Sequence, residues 1–438
     1  MNISRVLFRS FILVVDLLIA PAWSQLSALG HERAEAILEG VASDIRREYY
    51  DPKLHGLDWD AKVADAKARI AKASSWGAAM LEIAVLTDDL NDSHTIFVPA
   101  LPPSRTDYGW KFQIVGDRCY VTHVRPKSDA EAKGLKPGDQ VLTLDEVKAS
   151  RANLPKINYS IEVLSPQANL HVGLKERSGS THPVDVAASV KQPKVVRELD
   201  HPYGIDEQFY RLGWEDAVHR RRPRVAELGA EAMILKLPVF SLSESDVDKI
   251  TSKARKHSTL ILDLRDNPGG AVESLRHLLA SVFDREVKIA DQVMRLKTVP
   301  LATKISHRNS FSGKLIVLVD SSSSSAAELF ARTVQIEKRG MVLGDRTSGL
   351  VMEAKYHSHG VGLPPVYYGT MITEADLVMT DGKSLEHTGV TPDETILPAP
   401  ADLADGLDPA LARAAELAGV KLTSEDAGKL FPYEWPAD

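Results

Sequence analysis

The stretch "KLIVLVDSSSSSAAELFA", Lys314 to Ala331, decides how this chain is read. Its first half is an unbroken apolar run ending in Asp320, the pattern of a strand buried on both faces of a sheet. Its second half opens a helix from Ala326 to about Ile336, and five serines, Ser321 to Ser325, join the two. The same alternation surrounds it: "AMILKLPVF" (232–240), a helix near Asp246 to Lys256, "TLILDLRDN" (259–267), a helix from Val272 to Phe283, and "GMVLGD" (340–345). Near-continuous apolar strands separated by amphipathic helices predict an α/β domain on a largely parallel sheet with both faces covered. Ligands of such sheets sit at the carboxyl ends of the strands, where both "LRDNPGG" and the serine run fall. Taken alone, the serines need be no more than a helix N-cap and its lead-in.

Working outward, 438 residues exceed what one compact core usually holds, so two or three domains are expected. With 44% hydrophobic and 26% charged residues and a formal net charge of -7, the composition is that of a soluble globular protein. Nothing in it points to a nucleic-acid partner. The one basic cluster, "HRRRPR" from His219 to Arg224, reads as a solvated connector. The N-terminus places Arg5 and Arg9 ahead of an apolar stretch and a small-x-small pattern at Ala22-Trp23-Ser24. That is the layout of a secretory signal over residues 1–24, and it predicts an exported protein, periplasmic or secreted. No other stretch is long and apolar enough to span a bilayer. The single cysteine, Cys119, excludes an internal disulfide and reads as a packed small hydrophobe.

Between the signal and the sheet domain the periodicity changes twice. In a helical segment, residues 25–105, Ala34, Ile37, Leu38, Val41 and Ile45 recur on one helix face, and a second amphipathic run starts at Asp58. It ends in "LTDDLNDSHTIFVP", where helical spacing gives way to a strand, Ile96 to Val98. Residues 106–190 are strand-like and contain "GLKPGDQVLTLD", Gly134 to Asp145, which resembles a PDZ domain. That resemblance implies binding of extended peptides by strand addition. The loop that would capture a terminal carboxylate falls at "YGWKF", Tyr108 to Phe112, which lacks the usual glycine-rich form. A connector (191–230), the α/β domain (231–400) and a C-terminal tail (401–438) complete the division.

Three motifs, "LILDLRDNPGG" (260–270), "VLVDSSSSSAAELFA" (317–331) and "LEHTGVTPDETI" (385–396), in this order and behind a PDZ-like insertion, resemble the carboxy-terminal processing, or tail-specific, serine peptidases. The resemblance covers about residues 30 to 400 and implies a ClpP/crotonase-like sheet domain acting on polypeptides without cofactor or metal. In that family the nucleophile stands three residues before a glutamate, which implies Ser325, with Glu328 after it. At a helix N-terminus, unpaired N–H groups and the helix dipole favour an oxyanion. The amides of Ala326 and of Gly269 or Gly270 are the expected donors.

One position departs from the pattern. Most members activate the serine with a lysine in a "GxxTxGKG" loop; the corresponding "GDRTSGLVMEAK" carries Leu350 there, and Ala354 where many have a glutamine. Lys355 lies five residues beyond. A leucine accepts no proton, so another base is required for activity. "LNDSHT", Leu90 to Thr95, is similar to the segment used by relatives that lack the lysine, including the tricorn protease core. It implies His94 as base and Glu386 as the group that orients it, with His387 and Asp381 as alternatives for the latter. His357 and His359 share one strand face but have no third ligand, and no metal is expected. The expectation is an exported serine endopeptidase with a Ser/His/Glu triad. The alternative, favoured by Leu350, is a catalytically inactive relative that binds peptides or other ligands.

Overall fold

The computed structural model describes residues 26–99, 105–191, 222–303, 310–363 and 365–435; the signal-like segment and most of the 191–230 connector lie outside them. Ser27, Asp58 and Ser75 cap three N-terminal helices, α1 (Ala28–Glu48), α2 (Trp59–Ile70) and α3 (Trp76–Asp88), each side chain accepting a first-turn N–H. The face of α1 expected from the sequence, Ala34, Ile37, Leu38, Val41 and Ile45, is fully buried. Strand β1 (Ile96–Val98) leads out of this unit.

The next module comprises β2 (Arg105–Asp107), β3 (Trp110–Val115), β4 (Arg118–Val124), α4 (Asp129–Ala132), β5 (Gln140–Leu144), β6 (Val147–Lys148), α5 (Leu154–Tyr159), β7 (Asn169–Lys175), β8 (Thr181–Ala187) and β9 (Ser189–Lys191). Its antiparallel sheet runs β3-β4-β5-β7-β8 with β6 on β5. Its own core includes Trp110, Cys119, Leu144 and Val172. Cys119 is fully buried, as its surroundings suggested, and burial pushes its thiol up to about 12. Because β2 pairs with β9, the entry and exit of the module lie side by side, the geometry of an insertion.

The sheet domain contains β10 (Arg224–Leu228), β11 (Ala232–Lys236), α6 (Glu244–Ala254), β12 (Thr259–Asp263), α7 (Val272–Val282), β13 (Lys288–Met294), β14 (Thr298–Ala302), β15 (Lys314–Val319), α8 (Ala326–Ile336), β16 (Gly340–Gly344), β17 (Met352–Val361), β18 (Val366–Met379) and β19 (Glu394–Thr395). The central sheet has the order β10-β11-β12-β15-β16-β19, parallel throughout except for β10. Arg224, expected in a solvated connector, instead begins this edge strand and donates to the Pro432 carbonyl. All five residues of β12 are buried, which is why its sequence shows no alternation. A second, antiparallel sheet, β1-β18-β13-β14 with β17 also on β18, was not expected. Its strands are half-buried and alternate, as strands with one face against a core do.

Helices α6, α7 and α8 cover one face of the central sheet. The other face is closed by the tail, which forms α9 (Pro400–Asp405), α10 (Pro409–Leu417) and α11 (Ser424–Leu430). Leu411, Ala414 and Ala427 pack there on Ile234, Ile261, Ile316 and Leu343. The tail is therefore part of the sheet domain's core rather than an appendage. Asp408 accepts from both terminal nitrogens of the half-buried Arg265 at 2.8 Å each, and Arg265 also donates to Asp263. Burial alone would raise Asp263, but Arg265 and Lys236 hold it well below the usual carboxylate range.

Candidate active site

Parallel strands in register bring their following loops to one end of the sheet. Loops 264–271, 320–325 and 345–351 leave β12, β15 and β16 there, and the register pairs Asp263 with Leu318 and Val319 with Gly344. The serine run lies in the middle of the three. Ser321 donates its hydroxyl to the Ile114 carbonyl of the inserted module (2.5 Å), and Ser323 to the Leu264 carbonyl (2.8 Å). The Ser324 amide donates to the Asn267 carbonyl. Among the five, Ser325 alone has a left-handed backbone, φ 53° and ψ −119°. A non-glycine residue there costs on the order of 1–3 kcal/mol and persists only where its surroundings enforce it. Two acceptors hold its amide, the Leu350 carbonyl (3.0 Å) and Glu328 Oε2 (3.1 Å). The bend sets Ser325 at the head of α8, a sharp strand-to-helix turn that lifts a serine out of the sheet.

Opposite stands the "NPGG" turn. Gly269, at φ 98°, approaches so closely that a Cβ on it would lie 2.6 Å from Ser325 Cβ, so only glycine fits. Its amide donates to Asn267 Oδ1 at 2.8 Å and is thereby committed. Among the described residues, no acceptor is bonded to the amides of Gly270 or Ala326.

Glu328, fully buried one turn into α8, accepts from Thr347 Oγ1 (2.5 Å) and the amides of Gly349 (2.9 Å), Leu350 (3.1 Å) and Ser325, while the Ser348 hydroxyl, 3.2 Å from Oε2, donates to the nearer Ser323 carbonyl (2.9 Å). Burial pushes its carboxyl up to about 7, against the pull of these donors. Leu350 thus serves the site through its backbone. Lys355, five residues further along the chain, is exposed on β17.

His94 lies in the turn before β1. Asp92 Oδ1 accepts the amides of His94 (2.9 Å) and Thr95 (2.7 Å), fixing the turn. His94 Nδ1 meets Ser93 Oγ at 2.7 Å, and Ser93 Oγ–H donates to Glu386 Oε2 at 2.9 Å. A hydroxyl has one proton. Because Ser93 spends it on Glu386, its oxygen accepts from His94 Nδ1–H, and Nε2 is left as the acceptor nitrogen. Burial lowers the His94 pKa, with Asp92 opposing the shift.

Glu386 does not touch His94, as the direct orienting role would have it. Ser93 stands between them. The carboxylate also accepts the Ser93 amide (2.7 Å) and the Val351 amide (2.8 Å), and burial raises its pKa. Of the alternatives, Asp381 is paired with Arg332 at 2.5 Å and His387 Nε2–H donates to the Asn91 carbonyl at 2.9 Å. His359 meets Asp44 at 2.5 Å, and no group able to hold a metal ion occurs among the described residues.

The structure therefore brings Ser325, the "NPGG" turn, His94 and Glu386 around one segment, Thr347–Val351. No hydrogen bond joins His94 to Ser325 here. Sequence reasoning missed Ser93 and the reach of Glu328; the available signal for Ser93 was its place beside the histidine in "LNDSHT".

A strained serine at a strand-to-helix turn, a glycine turn against it and a part-buried histidine linked to a carboxylate through Ser93 are the parts a serine-hydrolase type of site on an α/β sheet requires. Residues 232–396 match the family model described as Peptidase family S41. Over this stretch, which holds Ser325 and Glu386, the chain is similar to that family of serine-type peptidases. Over 248 residues, 55% of this chain, it is 24% identical to the tail-specific protease of Haemophilus influenzae, covering 33% of that protein. Over 281 residues, 62% of this chain, it is 23% identical to a carboxyl-terminal-processing protease of Picosynechococcus sp., covering 59% of that protein. The chain thus spans between a third and three-fifths of the length of these two relatives. The solved structure of mature CPAF is similar in fold over 86% of this chain and 95% of its own, with a TM-score of 0.64 at 15% identity.

Proposed function

We propose that the protein is an exported serine endopeptidase in which Ser325 is the nucleophile and His94 the general base, the latter oriented by Glu386 through Ser93. The strained backbone of Ser325, unique among the five serines, carries this reading. Nε2 of His94 removes the Ser325 Oγ proton as the oxygen attacks the scissile carbonyl. The amides of Ala326 and Gly270 stabilise the oxyanion; the Gly269 amide, spent on Asn267, shapes the turn instead. His94 then protonates the leaving amine, and water hydrolyses the acyl-enzyme by the same base. Glu386 and Ser93 favour the imidazolium formed in each step.

The inserted module, residues 106–190, is read as a PDZ domain that presents extended polypeptide to this site. The relatives' names, tail-specific and carboxyl-terminal-processing protease, support polypeptide tails as substrates. Export, to periplasm or exterior, rests on the signal-like N-terminus. A fluorophosphonate probe tests the chemistry: the wild-type chain is labelled, and Ser325→Ala and His94→Ala are not. Labelling that survives both substitutions would sink the mechanism. A folded wild-type chain that takes no label would be the non-catalytic binder that Leu350 suggests.

A further inference from the structure

Glu328 is used by the family pattern only as a marker of register, yet it is buried among donors from both the serine turn and the 347–350 loop. Its Oε1 accepts from Thr347 Oγ1–H and the Gly349 amide; its Oε2 accepts the amides of Ser325 and Leu350. Every partner is a donor, so a carboxylate satisfies them all, whereas an amide in its place would turn its NH2 toward other donors. The next amide, Val351, goes to Glu386. Three consecutive N–H groups, those of Gly349, Leu350 and Val351, are thus divided between two carboxylates. The Leu350 carbonyl between them turns back to the Ser325 amide.

We infer that Glu328 is a positioning residue: with Glu386 it brackets the Thr347–Val351 segment, fixing the strained Ser325 backbone at one end and the Glu386–Ser93–His94 chain at the other. The inference rests on the proposed roles of Ser325 and His94. Relatives with a lysine at this point of the loop have a side chain to deliver; here the segment has only its backbone, and its rigidity supplies the spacing between nucleophile and base. Released from Glu328, Leu350 shifts, Ser325 loses both amide acceptors, and the serine relaxes into an ordinary N-cap conformation.

The test is Glu328→Gln in the full chain, read by fluorophosphonate acylation, by kcat and KM on a peptide, and by amide hydrogen exchange. Losing hydrogen bonds to a charged acceptor predicts a fall in acylation rate and kcat of about tenfold or more, with KM within about twofold. Exchange at Gly349 and Leu350 accelerates, and Val351, still opposite Glu386, follows. If Glu328→Gln does not fold, Thr347→Val, which removes the hydroxyl donor to Oε1 and keeps the carboxylate, gives a smaller fall of the same kind. Unchanged kcat with unchanged exchange overturns the inference, as does a change confined to KM. A wild-type chain that takes no fluorophosphonate refutes the peptidase reading instead, and the exchange measurement still decides whether Glu328 holds the segment.

Discussion

Replacing Ser93 by alanine isolates one atom of the site. Its hydroxyl accepts from His94 Nδ1 at 2.7 Å and donates to Glu386 Oε2 at 2.9 Å, while its amide holds Glu386 Oε1 at 2.7 Å. Ser93→Ala removes the first two contacts and leaves the third, so the turn stays in place and only the link between imidazole and carboxylate is cut. In the resting enzyme this strands Nδ1–H in a part-buried site and lets the proton settle on Nε2, the wrong nitrogen for a base. In the transition state the imidazolium loses its connection to a negative charge. A hydrogen bond to a charged group is worth about 1.5–3 kcal/mol, which lowers kcat roughly 10- to 150-fold. Because the hydroxyl faces the base rather than the substrate, KM stays within about twofold. Ser93→Thr keeps the oxygen and restores most of the rate. The assay is steady-state hydrolysis of a quenched fluorogenic peptide, with fluorophosphonate inactivation as a second reading of the acylation step. If Ser93→Ala retains kcat within about twofold of the wild type, or Ser93→Thr is no better than Ser93→Ala, the hydroxyl does not transmit the charge of Glu386 and the reasoning fails.

Gly269→Ala forces a Cβ to 2.6 Å from Ser325 Cβ at a left-handed φ, and kcat falls by about a hundredfold or more. Circular dichroism checks that the fold remains, and wild-type turnover would show that the turn and the serine are not in contact during the reaction. The pH profile follows from His94, whose neutral form is the base and whose pKa burial depresses. Activity is full above that pKa and is lost as pH falls through it, so the acid limb of kcat/KM lies below about 6.5, the ordinary histidine value. A limb centred clearly above that value contradicts the assignment.

What the sequence made legible follows the physics of burial. Strands β11, β12, β15 and β16 and helices α7 and α8 fall where continuous apolar runs and helical spacing place them, because strands buried on both faces and helices with one apolar stripe leave strong local patterns. The second sheet was not legible, since β17 and β18 are half-buried and carry histidine, tyrosine and threonine on the face that meets α1. The tail helices looked peripheral because they are alanine-rich, and small residues are what close approach to a sheet requires. In the site, Ser325 is marked by Glu328, and His94 and Glu386 by the company of their motifs. Ser93 is marked only by its place beside the histidine: a hydroxyl between two titratable partners looks like any turn serine until the residues on both sides of it are placed.

The closing of the central sheet's second face by α10 and α11 bears on the order in which the sheet domain is completed. His94 is made early, Ser325 late and Glu386 later still, and the sheet that carries the last two remains open to water on one side until Leu411, Ala414 and Ala427 arrive. The Asp408–Arg265 pair then fastens that cover just behind β12, the strand whose loop holds Gly269 and Gly270. A chain still emerging from the ribosome therefore has a serine but no finished wall behind it. The wall behind the serine loop is thus supplied by α10 and α11, which follow every strand of the sheet along the chain.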